Sequence, residues 1–347
     1  MKTLAIIIPT TLDANSKRLE VLIDSLNESL KLSLLRHEIT VTIILNGQES
    51  KNLSDDAPGT SNGRCLPIQV FHVANEGLVH ARHGGVLKNQ RADWYCFIDD
   101  DVSVCRSYIE GLQEVMESDC DLATGSILPK WELPPKSWLL SIYKHAKPWP
   151  NIPALTIQDI PSDVTEINPY FVWGANFVVS RRLLLAAKGF HPDAFPRNKI
   201  LLRGDGETHI AKIAIAKNIK AYAHRKLEVN HIVPAERMEV PYFYRRTALE
   251  GVSASYNEVR SGIVHNNMSV SLEQARKLPS FEDFWLRNYD SQLNHSFTNE
   301  GWSEAAFRSA FNVGFFWHHA TALNNRVLKA WCMQESYFED LIISRLV

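Results

Sequence analysis

Three consecutive aspartates, Asp99-Asp100-Asp101, follow the apolar run Trp94-Tyr95-Cys96-Phe97-Ile98. The order is that of a buried strand ending in a burst of negative charge. Like charges this close repel, and a carboxylate is costly to hold near a core without a counter-ion. A divalent cation answers both problems. Hard oxygen ligands suit Mg²⁺ or Mn²⁺, and these metals usually keep positions open for substrate phosphates. A solvated turn with an aspartate helix cap is the plainer alternative. Two further carboxylates, Asp205 and Glu207, lie in the glycine-flanked turn Arg203-Gly204-Asp205-Gly206-Glu207, and His231 follows the strand-like run 227–229. Two carboxylates for a metal, one more as a base and an imidazole as an extra ligand would serve a phosphate-bearing substrate. Taken singly, Asp205 reads as a turn residue, Glu207 as a helix-dipole partner and His231 as a core histidine.

The surrounding elements must bring these groups together. Residues 4–8 read as a buried strand and 16–32 as a helix, with Leu19, Leu22, Ile23, Leu26 and Leu30 at helical spacing. Strands follow at 39–45, 68–73 and 95–98, and helices at 77–89 and 106–117. Another strand starts at 121. The polar stretch 48–67 reads as a loop. This rhythm predicts a mostly parallel sheet with helices on both faces, and such sheets bind ligands beyond the carboxyl ends of their strands. Pro9-Thr10-Thr11, Asn46, Asn75 and the aspartates all fall at strand ends. From 129 to 169 the alternation stops, in a stretch rich in proline that carries Trp131, Trp138 and Trp149. Its length points to function and its tryptophans to order. A strand at 171–179, interrupted by Gly174-Ala175-Asn176, precedes a helix capped by Ser180. After about residue 235 the chain reads as helical. Trp302, Ala306, Ala310 and Val313 form one stripe, and Phe307, Phe311 and Phe315 a neighbouring one, which implies a helix buried on two sides or facing a partner.

Composition narrows the function classes. The chain has 347 residues, enough for one large domain with an appendage, and 45% hydrophobic with 22% charged residues is ordinary for a globular protein. A net charge of -2 argues against a broad nucleic-acid surface. Five cysteines without a CxxC pair read as reduced thiols of a cytoplasmic protein. The opening apolar run is too short for a signal peptide, and no uninterrupted apolar stretch reaches the length of a membrane span. An enzyme acting on an embedded substrate would then sit at the membrane surface, peripheral to its inner face, or lean on a partner.

In order along the chain, these pieces resemble a family 2 glycosyltransferase with the GT-A fold. Ile6-Ile7-Ile8-Pro9-Thr10 resembles the strand that leads to the nucleotide. Leu45-Asn46-Gly47 resembles the second strand end, where the family more often has aspartate. The run from Asn75-Glu76-Gly77 to Ala81-Arg82-His83-Gly84-Gly85 resembles the Asn-x-Gly…Ala-Arg-Asn-x-Gly segment. Phe97-Ile98-Asp99-Asp100-Asp101 resembles the metal-binding DxD motif and Gly174-Ala175-Asn176 the acceptor-side glycine turn. Gly204-Asp205-Gly206-Glu207 resembles the base motif, and His231-Ile232-Val233-Pro234 with Arg237 the late histidine segment. Together they cover about residues 3–250.

The resemblance implies a Rossmann-like mixed, mostly parallel sheet flanked by helices, with a C-terminal helical extension. Its implied division is a catalytic domain over 1–235 (donor half 1–125, acceptor half 126–235) and a helical region over 236–347. It implies an inverting, metal-dependent transfer from a nucleotide-sugar, by default a UDP-sugar, in polysaccharide or glycoconjugate synthesis. The acceptor hydroxyl would belong to a glycan, a lipid-linked glycan or a small molecule. Pro9, Thr10, Thr11, Asn46, Asn75, Asp99 and Asp100 would hold the donor, with Arg82 on its phosphates. Asp101, Asp99 and His231 would hold Mg²⁺ or Mn²⁺. Trp173, Gly174 and Asn176 would face the acceptor or sugar.

At the base the chain departs from the family, which commonly has Glu-Asp where this sequence has Glu207-Thr208-His209. Glu207 is preferred as it opens the helix, Asp205 is the second candidate and His209 the third. Arg237, Arg245 and Arg246 would lie beside the donor phosphates or on the first C-terminal helix, as a solvated face or one drawn to anionic lipid headgroups. Two other readings stand beside this one. A nucleotidyltransferase would also use paired carboxylates and Mg²⁺, but Pro9-Thr10-Thr11 lacks its glycine- and arginine-rich loop. A non-catalytic module of the same fold would bind a nucleotide-sugar or glycan. The C-terminal helices leave room for an oligomer.

Overall fold

A computed structural model describes residues 1–11, 17–47, 66–262 and 304–338. The expected loop at 48–67 therefore falls almost wholly outside the described residues, as does Trp302.

The first half alternates as expected. It runs β1 (Thr3–Thr10), α1 (Lys17–Lys31), β2 (Glu38–Asn46), β3 (Ile68–Val73), α2 (Leu78–Lys88) and β4 (Trp94–Ile98). Next come β5 (Val102–Val104), α3 (Tyr108–Glu117) and β6 (Leu122–Thr124). The strands are continuous apolar runs because both faces of the sheet are covered. Along β1, Leu4, Ile6 and Ile8 enter one core, which also takes Leu19, Leu22 and Leu26 of α1. Ala5 and Ile7 enter the other, with Val79, Ala81 and Val86 of α2.

The stretch 129–169 is not irregular. It holds β7 (Ile127–Trp131), α4 (Ser137–His145), β8 (Asn151–Ile152), β9 (Ile157–Gln158) and β10 (Glu166–Ile167). The pieces are too short for a period to show in sequence, and their pairing is tertiary. They are followed by β11 (Asn176–Ser180), α5 (Arg181–Ala186), α6 (Thr208–Ala216), β12 (Ala221–Ala223) and β13 (Val229–Val233). Ser180 caps α5, its Oγ accepting from the Leu183 N–H at 3.1 Å. Among the described residues two sheets form, an eight-stranded one in the order β10-β12-β6-β11-β4-β1-β2-β3 and a five-stranded one in the order β5-β13-β7-β9-β8. β1, β2, β3 and β4 are parallel, and β11 enters antiparallel between β4 and β6.

The extension consists of α7 (Val240–Ser261), α8 (Glu304–Asn324) and α9 (Arg326–Met333). α7 and α8 touch backbone to backbone. A Cβ on Gly251 would lie 2.1 Å from the Phe311 carbonyl oxygen, and one on Gly314 would lie 1.9 Å from that of Ala248. Tyr256 and Val259 of α7 and Trp331 of α9 enter the same core as β4 and β11. The Trp331 indole N–H donates to the Leu202 carbonyl at 2.9 Å. Among the described residues no helix is long and apolar enough to cross a membrane.

Candidate functional site

The carboxyl ends of β1 and β2 and the start of α2 enclose a cleft of about 620 Å³. Pro9, Thr10, Thr11, Asn46 and Asp100 line it, with Ala194, Phe195 and Pro196 opposite. The Thr10 hydroxyl donates to the Asp100 carboxylate. The Asn46 side chain organises the wall. Its amide N–H donates to the carbonyl of Asn75 at 2.6 Å, and its oxygen accepts from the Gly77 N–H at 2.9 Å. Asn75 thus contributes to this wall through its backbone.

Beside the cleft, the acidic triplet bridges β4 and β5. β5 pairs antiparallel with β13 so that Val102 faces His231. That register sets His231 Nε2 3.1 Å from Asp101 Oδ1, while Arg237 Nη1 lies 3.7 Å from Oδ2. The environments push the carboxyls apart. Burial and the neighbouring Asp101 charge raise Asp99, with Arg82 and His231 opposing. Burial would raise Asp101 too, but the His231 hydrogen bond and charge outweigh it and hold it low. Burial works against His231, yet Asp101 raises it above the usual histidine range. Its other ring nitrogen, Nδ1, is buried with no hydrogen-bond partner among the described residues. Among the described residues no group of three or more His, Cys, Asp or Glu stands ready to hold a metal. Carboxylate oxygens with one imidazole still form a hard donor set, and such a set fits Mg²⁺ or Mn²⁺ when phosphates supply the remaining positions.

The second carboxylate centre forms where the turn before α6 meets the turn before β11. Gly206 adopts φ +53°, a conformation that side chains disfavour, and this reverses the chain between Asp205 and Glu207. The N–H groups of Gly204 and Gly206 both donate to the Pro192 carbonyl, at 3.1 and 3.0 Å. The two carboxylates consequently have different neighbours. Glu207 Oε1 accepts from the Gly174 N–H at 3.1 Å, and Oε2 pairs with Arg82 Nη1 at 3.3 Å. Asp193 stands alongside, 3.7 Å from Arg82 Nη1 and 3.4 Å from Arg203 Nη1. Burial first, and the Asp193 charge second, raise Glu207 above the ordinary carboxylate range.

Asp205 is committed elsewhere. Its oxygens accept from His191 Nδ1 at 2.8 Å and Lys212 Nζ at 2.6 Å, and its side chain is 4% exposed. These bonds overcome burial and keep it well below the usual carboxylate range. His209 stacks on His191 with ring centroids 3.4 Å apart and bonds the Ala187 carbonyl at 2.9 Å.

Two expectations require correction. Asn176 is fully buried. Its oxygen accepts from the Tyr108 hydroxyl at 2.7 Å and its amide donates to the Leu227 carbonyl at 2.6 Å, so it cannot face an acceptor. Arg82 is not a free cation awaiting phosphate. It is 2% exposed, lies 5.0 Å over the Phe190 ring and is paired with Glu207 and Asp193. A buried guanidinium needs such partners. Its field also reaches Asp99.

Glu207, Asp193 and Trp173 line a second cleft of about 400 Å³, with Arg203, Arg246 and Glu250. The clefts share a wall, since Asp193 opens onto this one and Ala194-Phe195-Pro196 onto the first. Asp193, Arg203 and Glu250 line this cleft although no sequence motif marks them as candidates. A signal for the last existed in the polar stripe Arg246, Glu250, Ser253 and Asn257 along α7. Asp193 sits in a loop with no periodic signal.

No family model matches the chain. No curated protein matches it. Among solved structures it is similar to the mannosyltransferase PcManGT from Pyrobaculum calidifontis in complex with GDP-Man and Mn²⁺. The TM-score is 0.47 and the identity 14%, over 97% of this chain and 86% of that one. It is also similar to S. aureus TarS 1-349 in complex with UDP-GlcNAc, with a TM-score of 0.43 and 13% identity over 98% of this chain and 91% of that one. Against the longer TarS structure the chain spans 55% of the other's length, at a TM-score of 0.43 and 13% identity. These likenesses are remote.

Proposed function

We propose that the protein transfers a glycosyl group from a nucleoside-diphosphate sugar to an acceptor hydroxyl, in one displacement that inverts the anomeric carbon. The observation that carries this is the position of Glu207. It is a carboxylate with a raised pKa, on the edge of a polar cleft, across one wall from a cleft built of strand ends and an acidic triplet. Pro9, Thr10, Thr11, Asn46 and Asp100 would hold the nucleoside, by default of a UDP-sugar, in the first cleft. Asp99, Asp101 and His231 would hold Mg²⁺ or Mn²⁺. When bound, such an ion would supply positive charge against the diphosphate.

The acceptor enters the second cleft, where Trp173 forms part of the wall. Its hydroxyl oxygen attacks the anomeric carbon and its proton passes to Glu207. The new carbon–oxygen bond forms as the bond to the diphosphate oxygen breaks, and that electron pair leaves with the nucleotide. Arg82 and the Gly174 N–H aim the Glu207 carboxylate. Asp205 holds the turn from inside through His191 and Lys212. A role in polysaccharide or glycoconjugate synthesis belongs to this proposal.

A thermal-shift screen of UDP, GDP and their sugars, with and without Mn²⁺, tests the donor half on the native chain and Asp101→Ala. A nucleotide that stabilises only with metal and only when Asp101 is present supports the reading. No stabilisation by any of them refutes it. For an active donor, product stereochemistry by NMR then decides inversion.

A further inference from the structure

Helix α7 presents Arg246, Glu250, Ser253 and Asn257 at spacings of four, three and four, so they share one face. That face and Phe311 of α8 form a wall of the second cleft, opposite Trp173 and the turn that carries Glu207. The helical extension is thus part of the site. Its volume, about 400 Å³, is that of a small-ligand pocket.

The charges around this cleft are already matched. Arg203 pairs with Asp193 at 3.4 Å and with Glu250 at 3.8 Å, and Arg246 pairs with Glu250 at 3.4 Å. Lys212 pairs with Asp205 at 2.6 Å and Arg82 with Glu207 at 3.3 Å. Four cations thus face four carboxylates among the described residues. An entering phosphate or carboxylate would have to displace one of these carboxylates and sit against the others. A hydroxyl both donates and accepts, so it can bond to either kind of group without upsetting the balance. One donor is spare, since Arg246 Nε is buried with no hydrogen-bond partner among the described residues. A buried N–H of this kind calls for an oxygen lone pair. Half-buried Trp173 adds an apolar surface for the C–H face of a ring.

Building on the glycosyl-transfer reading, we propose that the second cleft binds a neutral sugar as acceptor, with Arg246 and Glu250 of α7 selecting it against anionic sugars. The test is saturation-transfer NMR on the full chain. The neutral probes are the methyl glycosides of glucose, galactose, mannose and N-acetylglucosamine. The anionic probes are methyl glucuronide and glucose 6-phosphate. At least one neutral glycoside should bind about ten-fold or more tighter than either anion, and Trp173→Ala should weaken it. Glu250→Gln keeps the side-chain shape at a half-exposed position but removes the charge that Arg246 pairs with and Arg203 shares with Asp193. It should shift the neutral-to-anionic ratio about ten-fold toward the anions. Equal binding of the anions to the native chain overturns the proposal, as does absence of neutral binding or an unmoved ratio in Glu250→Gln. Nucleotide binding, measured by thermal shift on the same samples, separates the two readings. Its loss refutes the donor site, whereas sugar failure with nucleotide binding intact refutes only the acceptor assignment.

Discussion

Adding one methyl group at Gly174 should disable the site with every charged residue left in the sequence. A Cβ there would lie 2.2 Å from Arg82 Nη2 and 3.3 Å from both Arg82 Cζ and Glu207 Oε1. Comfortable contact needs about 3.5 Å, so the guanidinium must retreat by roughly 1 Å. It has nowhere to go. Arg82 is 2% exposed, lies over the Phe190 ring and is paired with Glu207 and Asp193. Overpacking of this kind costs about 1–3 kcal/mol, which corresponds to a fall in Tm of roughly 1–4 °C for a chain of this size. Glu207 loses its aim at the same time. If the Arg82 shift of about 1 Å is passed on to the base it aims, kcat falls by up to the order of 10²-fold. Differential scanning calorimetry and release of nucleoside diphosphate in the presence of acceptor measure the two effects separately. A native Tm for Gly174→Ala would refute the packing argument. A lowered Tm with native kcat would refute Glu207 as the base.

Glu207→Gln should lower kcat by about 10²–10⁴-fold while nucleotide binding persists, the range expected for loss of a general base. The acid limb of the native pH–rate profile should lie above the ordinary glutamate value of about 4.3, because burial and Asp193 raise Glu207. Asp193→Asn should move that limb down, and an unmoved limb would count against the pairing. His191 is held neutral by burial, its pKa lowered to about 3, while an unfolded histidine titrates near ~6.5. Its contribution to stability is therefore full above ~6.5 and is lost as pH falls toward 3, at roughly 1.4 kcal/mol per pH unit. His191→Asn keeps an N–H for Asp205 and should flatten the urea-derived stability profile between pH 7 and 5 by that increment; an unchanged slope would sink the idea. Gly314→Ala, whose Cβ would lie 1.9 Å from the Ala248 carbonyl oxygen, should destabilise the protein by about 1–3 kcal/mol in chemical denaturation by prising α7 from α8.

The elements that announced themselves in the sequence share a physical trait, since each is dictated by which of its faces is covered. β1 and β4 read as unbroken apolar runs because α-helices cover both sides of the sheet, and α1 reads as a helix because one face enters the core. Thr10, Asn46 and Asp100 could be placed on one cleft from topology alone, since parallel strands deliver their carboxyl ends to one edge. What stayed illegible depends on partners that sequence does not name. Asn176 belongs to a glycine turn in sequence, yet its direction is set by antiparallel pairing with β4, which aims it at Tyr108. Asp205 and Glu207 are two residues apart, and only the left-handed Gly206 between them sends one to His191 and the other to Arg82. Arg82 reads as a phosphate-binding arginine until its burial is known. Once enclosed, it needs carboxylates more than a ligand does, and the chain supplies Asp193 from a loop with no pattern of its own. The same logic applies to α7. Its polar stripe is visible at helical spacing, but a stripe of Arg246, Glu250, Ser253 and Asn257 is equally a solvated face. The close crossing at Gly251 and Gly314 packs α8 against α7, and the polar stripe lines the cleft beside Glu207. Two glycines thus help turn a surface-like sequence into a wall of the candidate site.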